Sequence, residues 1–224
     1  MAASAIPQGA VRRRKIILVT ANKGGVGKTT IAAHIAVAAA QEGLDVCAID
    51  FDPQESLFMW GGQRPRSAAK VEVVTAPLDG YQNALAKQQD RDVVVIDTPP
   101  GLSSRTTSIQ GLARLADLVI IPATFDFMDL QQVLPYGAAL REAIGRRPTY
   151  VVNKYDRRMS DREVLEIRTH MEICGDVHPV NVRKLAAIQA PFRDGLTVLD
   201  DEKKLHAFEM LSIWSSAKKE IERV

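Results

Sequence analysis

Residues 23 to 30 read Lys23-Gly24-Gly25-Val26-Gly27-Lys28-Thr29-Thr30, with an apolar run, Ile16 to Val19, before them and a small-residue run, Ile31 to Ala40, after them. The order is strand, glycine-rich turn, helix. Glycines let consecutive backbone N–H groups curl around an anion, and the positive end of the following helix faces the same anion. Lys28 can then reach the outer phosphates of a nucleotide, and the Thr29 hydroxyl can ligate Mg2+. The common loop pattern G-x-x-x-x-G-K-[ST] asks for glycine at position 22, but Asn22 stands there and an additional lysine, Lys23, follows it.

Three further stretches have residue types suited to the same chemistry. Asp50-Phe51-Asp52-Pro53-Gln54 closes an apolar run, so two carboxylates two residues apart are expected to face the crevice that holds the loop. Asp52 is placed to orient a water near a γ-phosphate. Val93-Val94-Val95-Ile96-Asp97 is β-branched up to its final carboxylate, as in a buried parallel strand that delivers Asp97 to Mg2+. Thr98 to Gly101 then reads as a phosphate-sensing loop. Asn153-Lys154-Tyr155-Asp156 has the N-K-x-D spacing by which many GTPases read guanine, the aspartate accepting from the base.

These residues need a scaffold that brings loop ends together. Strands are expected at 16–20, 44–50, 71–75, 93–97, 118–123 and 149–153. Helices are expected at about 28–42, from Ser56, near 80–88, at 104–116, 129–145 and 203–222. Alternation of this kind implies right-handed crossovers and a mostly parallel sheet with helices on both faces. The closing helix sets Ala207, Met210, Leu211, Trp214, Ala217 and Ile221 along one side, a stripe for the core. His34, Cys47 and Trp60 read as packing residues.

With 224 residues the chain suits one sizeable α/β domain, taken as 15–224 after a flexible basic tail, 1–14, that contains Arg12-Arg13-Arg14. The tail lacks the apolar core of a secretory signal. A composition of 46% apolar and 25% charged residues is that of a soluble protein, and two distant cysteines suit a reducing compartment. A net charge of +2 does not by itself announce a nucleic-acid binder, so DNA contact would have to come from local clusters.

The run K-G-G-x-G-K-[ST]-T, followed by D-x-D-P-Q and then by the strand ending in Asp97, resembles the ParA/MinD family of deviant Walker A ATPases, small plasmid-type ParA partition proteins in particular. The resemblance implies a P-loop NTPase fold, ATP and Mg2+ as cofactors, and a weak ATPase that forms a homodimer sandwich on ATP. It implies that Gly24, Gly25, Val26, Gly27, Lys28, Thr29 and Thr30 hold the nucleotide and that Thr29 and Asp97 hold the metal. Lys23 would cross to the partner's nucleotide, Asp52 would serve hydrolysis, and a polar residue such as Asn153 would touch adenine, which favours ATP over the GTP suggested by N-K-x-D. Asn181-Val182-Arg183 resembles a family segment near the surface for non-specific DNA, so Arg183, Lys184, Lys203 and Lys204 are either DNA contacts or a solvated charged face. The family's cycle further implies a stimulating partner protein and a cytoplasmic, nucleoid-associated location for positioning a plasmid, chromosome or protein cluster. MinD-type relatives add a membrane tail. Here the last helix is expected to dock on the domain, without stable membrane association.

Overall fold

The computed structural model describes residues 13–101, 106–156, 158–184, 186–201 and 207–223, and of Phe127 the backbone alone. Seven strands form one sheet in the order β3-β2-β4-β1-β5-β6-β7, and every pairing is parallel. The strands are β1 (Lys15–Val19), β2 (Val46–Asp50), β3 (Glu72–Thr75), β4 (Val93–Asp97), β5 (Leu118–Ala123), β6 (Thr149–Val152) and β7 (Asp176–Val177). The helices are α1 (Lys28–Gln41), α2 (Ser56–Gln63), α3 (Tyr81–Ala86), α4 (Thr106–Leu115), α5 (Phe127–Ile144), α6 (Asp161–Cys174), α7 (Ala186–Gln189) and α8 (Phe208–Arg223).

Period-two alternation divides the core into two layers. Ile17 and Val19 of β1 point into a cluster with α1, α2 and α8, whereas Ile16 and Leu18 point into a second cluster with α4, α5 and α6. Both faces being covered, β1, β2, β4 and β5 are buried almost throughout, which explains their apolar runs. Each fully buried valine or isoleucine in them stabilises the fold by about 1.5–3 kcal/mol. Helix α1 is buried on nearly all sides because it lies between the sheet and α8. Met210, Ile213, Trp214, Ala217 and Ile221 of α8 are buried, so the closing helix docks on the domain as its apolar stripe requires.

The sheet order decides where the site lies. The chain leaves β1, passes outward to β2 and β3, and returns to insert β4 between β1 and β2. Its next strand, β5, forms on the other side of β1. The carboxyl end of β1 thus lies at a reversal of strand order, where an open α/β sheet leaves a crevice. The register sets Val19 beside Asp97 and Asp97 beside Asp50, so the ends of β1, β4 and β2 are level.

Three elements, α6, β7 and the short α7, differ from the sequence expectation. Helix α6 and the short strand β7 carry no clear apolar pattern; α6 buries Met171 while exposing Leu165 and Ile173. Ser160 and Glu163 start α6 instead, through a reciprocal capping box. At the other end of the chain, Arg13 pairs with Asp117 over 3.2 Å and Arg14 bonds the Leu85 carbonyl. Residues 1–12 lie outside the described residues.

Candidate nucleotide site

The loop between β1 and α1 opens onto a crevice of about 470 Å3, lined on one side by Gly24, Gly25, Gly27, Lys28, Thr29 and Thr30 and on the other by Asp52, Gln54, Ser56, Asn153, Arg183 and Lys184. Two glycines of the loop are in the left-handed region, Gly25 at φ +75° and Gly27 at φ +99°. Gly27 is also pressed against Asn153: a Cβ added there would lie 2.0 Å from the Asn153 Nδ2. That amide donates to the Val26 carbonyl over 2.7 Å, and Asn153 Oδ1 accepts from the Lys154 backbone N–H over 2.9 Å. Lys154, itself at φ 58°, bonds the Gly25 carbonyl through Nζ. The end of β6 thus clamps the glycine loop from outside.

Lys28 is buried, and its Nζ donates to the Lys23 carbonyl over 3.2 Å. Burial lowers its pKa while the charges of Asp97 and Asp52 oppose the shift. Thr29 Oγ1 donates to Asp97 Oδ2 over 2.6 Å. Burial pushes the Asp97 carboxyl up to about 7; the Thr29 hydrogen bond opposes this, Asp50 adds to it and Lys28 opposes it. The hydroxyl and carboxylate expected to share a cation are therefore in direct contact, within reach of Lys28.

The two aspartates after β2 have separate tasks, which corrects the expectation that both face the crevice. Asp50 is fully buried and caps the loop and helix that follow: Oδ1 accepts from Asp52 N over 2.9 Å, and Oδ2 accepts from Leu57 N over 2.9 Å and Phe58 N over 3.0 Å. Burial raises its pKa, opposed by these three amides. Of the two, Asp52 alone lines the crevice, and its Oδ1 accepts from Gln54 N over 3.0 Å. A larger cavity of about 580 Å3 shares Asp52 from the far side, between Phe51, Glu55, Pro77, Asp79 and Ser108, but it includes none of the glycine loop.

Lys23 stands at the mouth of the loop and is ion-paired with Asp129 of α5 in its own chain. Asp156 of the N-K-x-D run is held by Arg158, whose guanidinium brings the exposed carboxyl down to about 2. Both of its oxygens are thus engaged by a cation. Arg183 forms an ion pair with Glu209 of α8 and makes a backbone bridge to Tyr155. Arg183 and Lys184 both line the crevice. Lys203 and Lys204 lie outside the described residues.

His34, Cys47 and Trp60 are all buried. His34 stacks on Phe192, which stacks on Trp60, and the Arg64 guanidinium lies 5.3 Å from the Trp60 ring. Arg64 in turn makes a bidentate pair with Asp200 at 2.7 and 3.1 Å. The two members of this pair are 136 residues apart along the chain, so no local spacing marks them. Burial pushes the Cys47 thiol up to about 12, with the Glu72 charge adding to the shift.

Among the described residues no three His, Cys, Asp or Glu side chains cluster as a metal site. A hard cation held by Thr29 and Asp97 would take its other oxygens from phosphate and water, as Mg2+ does at a nucleotide. The donor set fits that role.

A parallel α/β sheet with a glycine loop and lysine-threonine pair at the reversal of strand order, and an aspartate from the next strand touching that threonine, defines a P-loop nucleotide-binding domain. The CobQ/CobB/MinD/ParA nucleotide-binding domain model matches residues 17–182, and the chain belongs to that family. Protein ParA of Rhizobium radiobacter is 34% identical over 146 residues, 61% of this chain and 62% of that protein. Maintenance of carboxysome distribution protein A of Gloeobacter kilaueensis is 31% identical over 141 residues, 59% of this chain and 63% of the relative. The chain thus spans less than two thirds of these two relatives. The chromosome-partitioning ATPase Soj of Thermus thermophilus is 28% identical over 209 residues, 76% of this chain and 82% of its own. Among solved structures, the MinC:MinD cell division complex of Aquifex aeolicus gives a TM-score of 0.75 at 18% identity over 92% of this chain and 96% of that one, a likeness of fold. No helix among the described residues is long and apolar enough to cross a membrane.

Proposed function

We propose that the chain is a ParA-like ATPase that pairs as a sandwich dimer on ATP, binds non-specific DNA and positions a cargo until a partner protein stimulates hydrolysis. The observation that carries this reading is that Lys28, Thr29 and Asp52 line one crevice, with Asp97 bonded to Thr29 behind it and the extra lysine, Lys23, at the start of the glycine loop.

Backbone N–H groups of Gly24 to Lys28 would bind the phosphates, with Lys28 on the outer ones. Thr29 and Asp97 would hold Mg2+, which neutralises phosphate charge when bound. Asp52 would orient the attacking water. Lys23 from each subunit would contact the nucleotide of the other, meeting charge that one subunit leaves exposed. Asn153, with both ends of its amide engaged by backbone, keeps the loop in shape for the phosphates.

ATP is preferred to GTP on one specific ground. A guanine-reading aspartate must face the nucleotide, and Asp156 is not among the residues that line the crevice. The relatives named for partition and for carboxysome distribution support the positioning role and a plasmid, chromosome or protein assembly as cargo.

The test is binding to a random DNA duplex at low salt with no nucleotide, ADP, ATP or GTP, using the parent and Asp52→Ala. ATP-dependent binding that falls steeply with salt, retained in Asp52→Ala while turnover is lost, is the expected result. Binding equal in all nucleotide states, or none in any, would remove the DNA-dependent cycle. Liposome sedimentation under the same conditions checks the membrane-associated alternative.

A further inference from the structure

The residues that lead from β1 into the glycine loop are fastened in turn to one face of α5. Thr20 Oγ1 shares a hydrogen bond with the Tyr136 hydroxyl, Asn22 Nδ2 donates to the Gln132 carbonyl over 2.9 Å, and Lys23 Nζ donates to Asp129 Oδ1. Positions 129, 132 and 136 follow the three- and four-residue spacing of a single helix stripe. The other Asp129 oxygen accepts from Thr124 Oγ1. Asp129 also lies in the first turn of α5, where the helix dipole favours a carboxylate.

From this arrangement we propose that Asp129 holds Lys23 on its own subunit and releases it only when a second, ATP-loaded subunit offers phosphate oxygens in exchange. The inference rests on the reading above, in which Lys23 serves the partner's nucleotide. It adds the residue that restrains Lys23 beforehand, and with it a threshold for pairing.

Three features make the contact an exchange. The Asp129 side chain is 9% exposed and that of Lys23 42%, so the ammonium can leave for solvent or phosphate while the carboxylate stays buried. A carboxylate left with only the Thr124 hydroxyl is unfavourable, and the ammonium's new phosphate contacts must offset that loss. The backbone need not move: Lys28 holds the Lys23 carbonyl and Lys154 the Gly25 carbonyl, so only the long Lys23 side chain changes rotamer. Lys23 can swing while Thr20 and Asn22 remain on α5.

Asp129→Asn keeps the side chain's shape but removes its charge. In an Asp52→Ala background, sedimentation velocity across an ATP titration is expected to show half-maximal dimer at an ATP concentration roughly five- to tenfold lower with Asp129→Asn. Thr124→Val removes the one hydroxyl that stays with Asp129 once Lys23 leaves, and is expected to shift the midpoint the opposite way, to about twofold higher ATP, a check against misfolding in the first variant. Acetylation of Lys23 by acetic anhydride in nucleotide-free protein, read by peptide mass, is expected to be faster in Asp129→Asn than in the parent. Equal ATP midpoints together with equal Lys23 acetylation would overturn the proposal. A parent that never pairs with ATP but acetylates Lys23 as slowly as expected would overturn the dimer reading while leaving the Asp129 restraint in place.

Discussion

The Asn153 side-chain amide lies 2.7 Å from the Val26 carbonyl and fills the space where Gly27 would carry a Cβ. Position 27 is thus confined twice, by its φ of +99° and by a neighbour 2.0 Å from an added carbon. Gly27→Ala is expected to lose about 1–3 kcal/mol of stability through backbone strain. Nucleotide affinity should fall more than about tenfold, since a strained loop no longer presents its amides together. Titration with a fluorescent ATP analogue, beside a urea melt, checks both; unchanged affinity would show that the loop tolerates a side chain.

Arg64 and Asp200 form a buried bidentate pair that joins the end of α2 to the 195–200 segment. Burial alone would raise the Asp200 carboxyl; hydrogen bonds from Arg64 and the Thr197 amide more than compensate, so it lies below its ordinary value. Its contribution is therefore complete above a pH of about 3.9 and disappears as pH falls through the lower folded-state value. Arg64→Met leaves a buried charge unpaired and is expected to cost about 3–5 kcal/mol at pH 7. Denaturant midpoints measure it, and a loss below about 1 kcal/mol would place the pair with weak surface bridges.

His34 gives a pH effect in a higher window. Burial holds its imidazole at about 4, only partly opposed by the Thr30 carbonyl and the Asp200 charge. Above a pH of about 6.5 the ring is neutral in both folded and unfolded chains. Between about 6.5 and 4 the unfolded chain binds a proton that the folded one refuses, so stability falls as pH falls, by up to about 3 kcal/mol. Asp97, its carboxyl pushed up to about 7, acts in the opposite sense in parent and variant alike, so the test is the stability difference between parent and His34→Gln in urea melts from pH 7 to pH 4.5, which should change with the His34 sign.

Tyr150 is fully buried, and among the described residues its hydroxyl has no hydrogen-bond partner. Tyr150→Phe should stabilise the protein by about 1 kcal/mol by removing an unsatisfied group. Gly137 of α5 faces the same hydroxyl: an added Cβ would sit 1.7 Å from it. Gly137→Ala is therefore expected to destabilise by about 1–3 kcal/mol through overpacking, although alanine is favoured over glycine by about 1 kcal/mol in a helix. Thermal melts of the two single variants and the double variant test both statements, and a stabilised Gly137→Ala would contradict the packing.

What could be read from the chain was set by how local the physics is. The glycine loop, the runs ending in Asp50 and Asp97, and the apolar stripe of α8 follow from spacing alone, because each strand is buried on both faces and each loop residue acts beside its neighbours. The division of labour between Asp50 and Asp52 was hidden, since it depends on α2 turning its first amides back onto Asp50. The Lys23–Asp129, Arg64–Asp200 and Arg183–Glu209 pairs join distant elements, and nothing in the order of residues marks their partners. Helix α6 escaped because it buries little apolar surface and depends on its capping box.

The two cysteines end up in unequal surroundings. Cys47 lies inside β2 with its thiol pushed up to about 12, whereas Cys174 is only partly covered at the end of α6. At neutral pH a maleimide dye would thus find one reactive sulfur in the native protein, away from the glycine loop. The wild-type chain thereby comes with a single attachment point, ready for tracking by fluorescence without engineering.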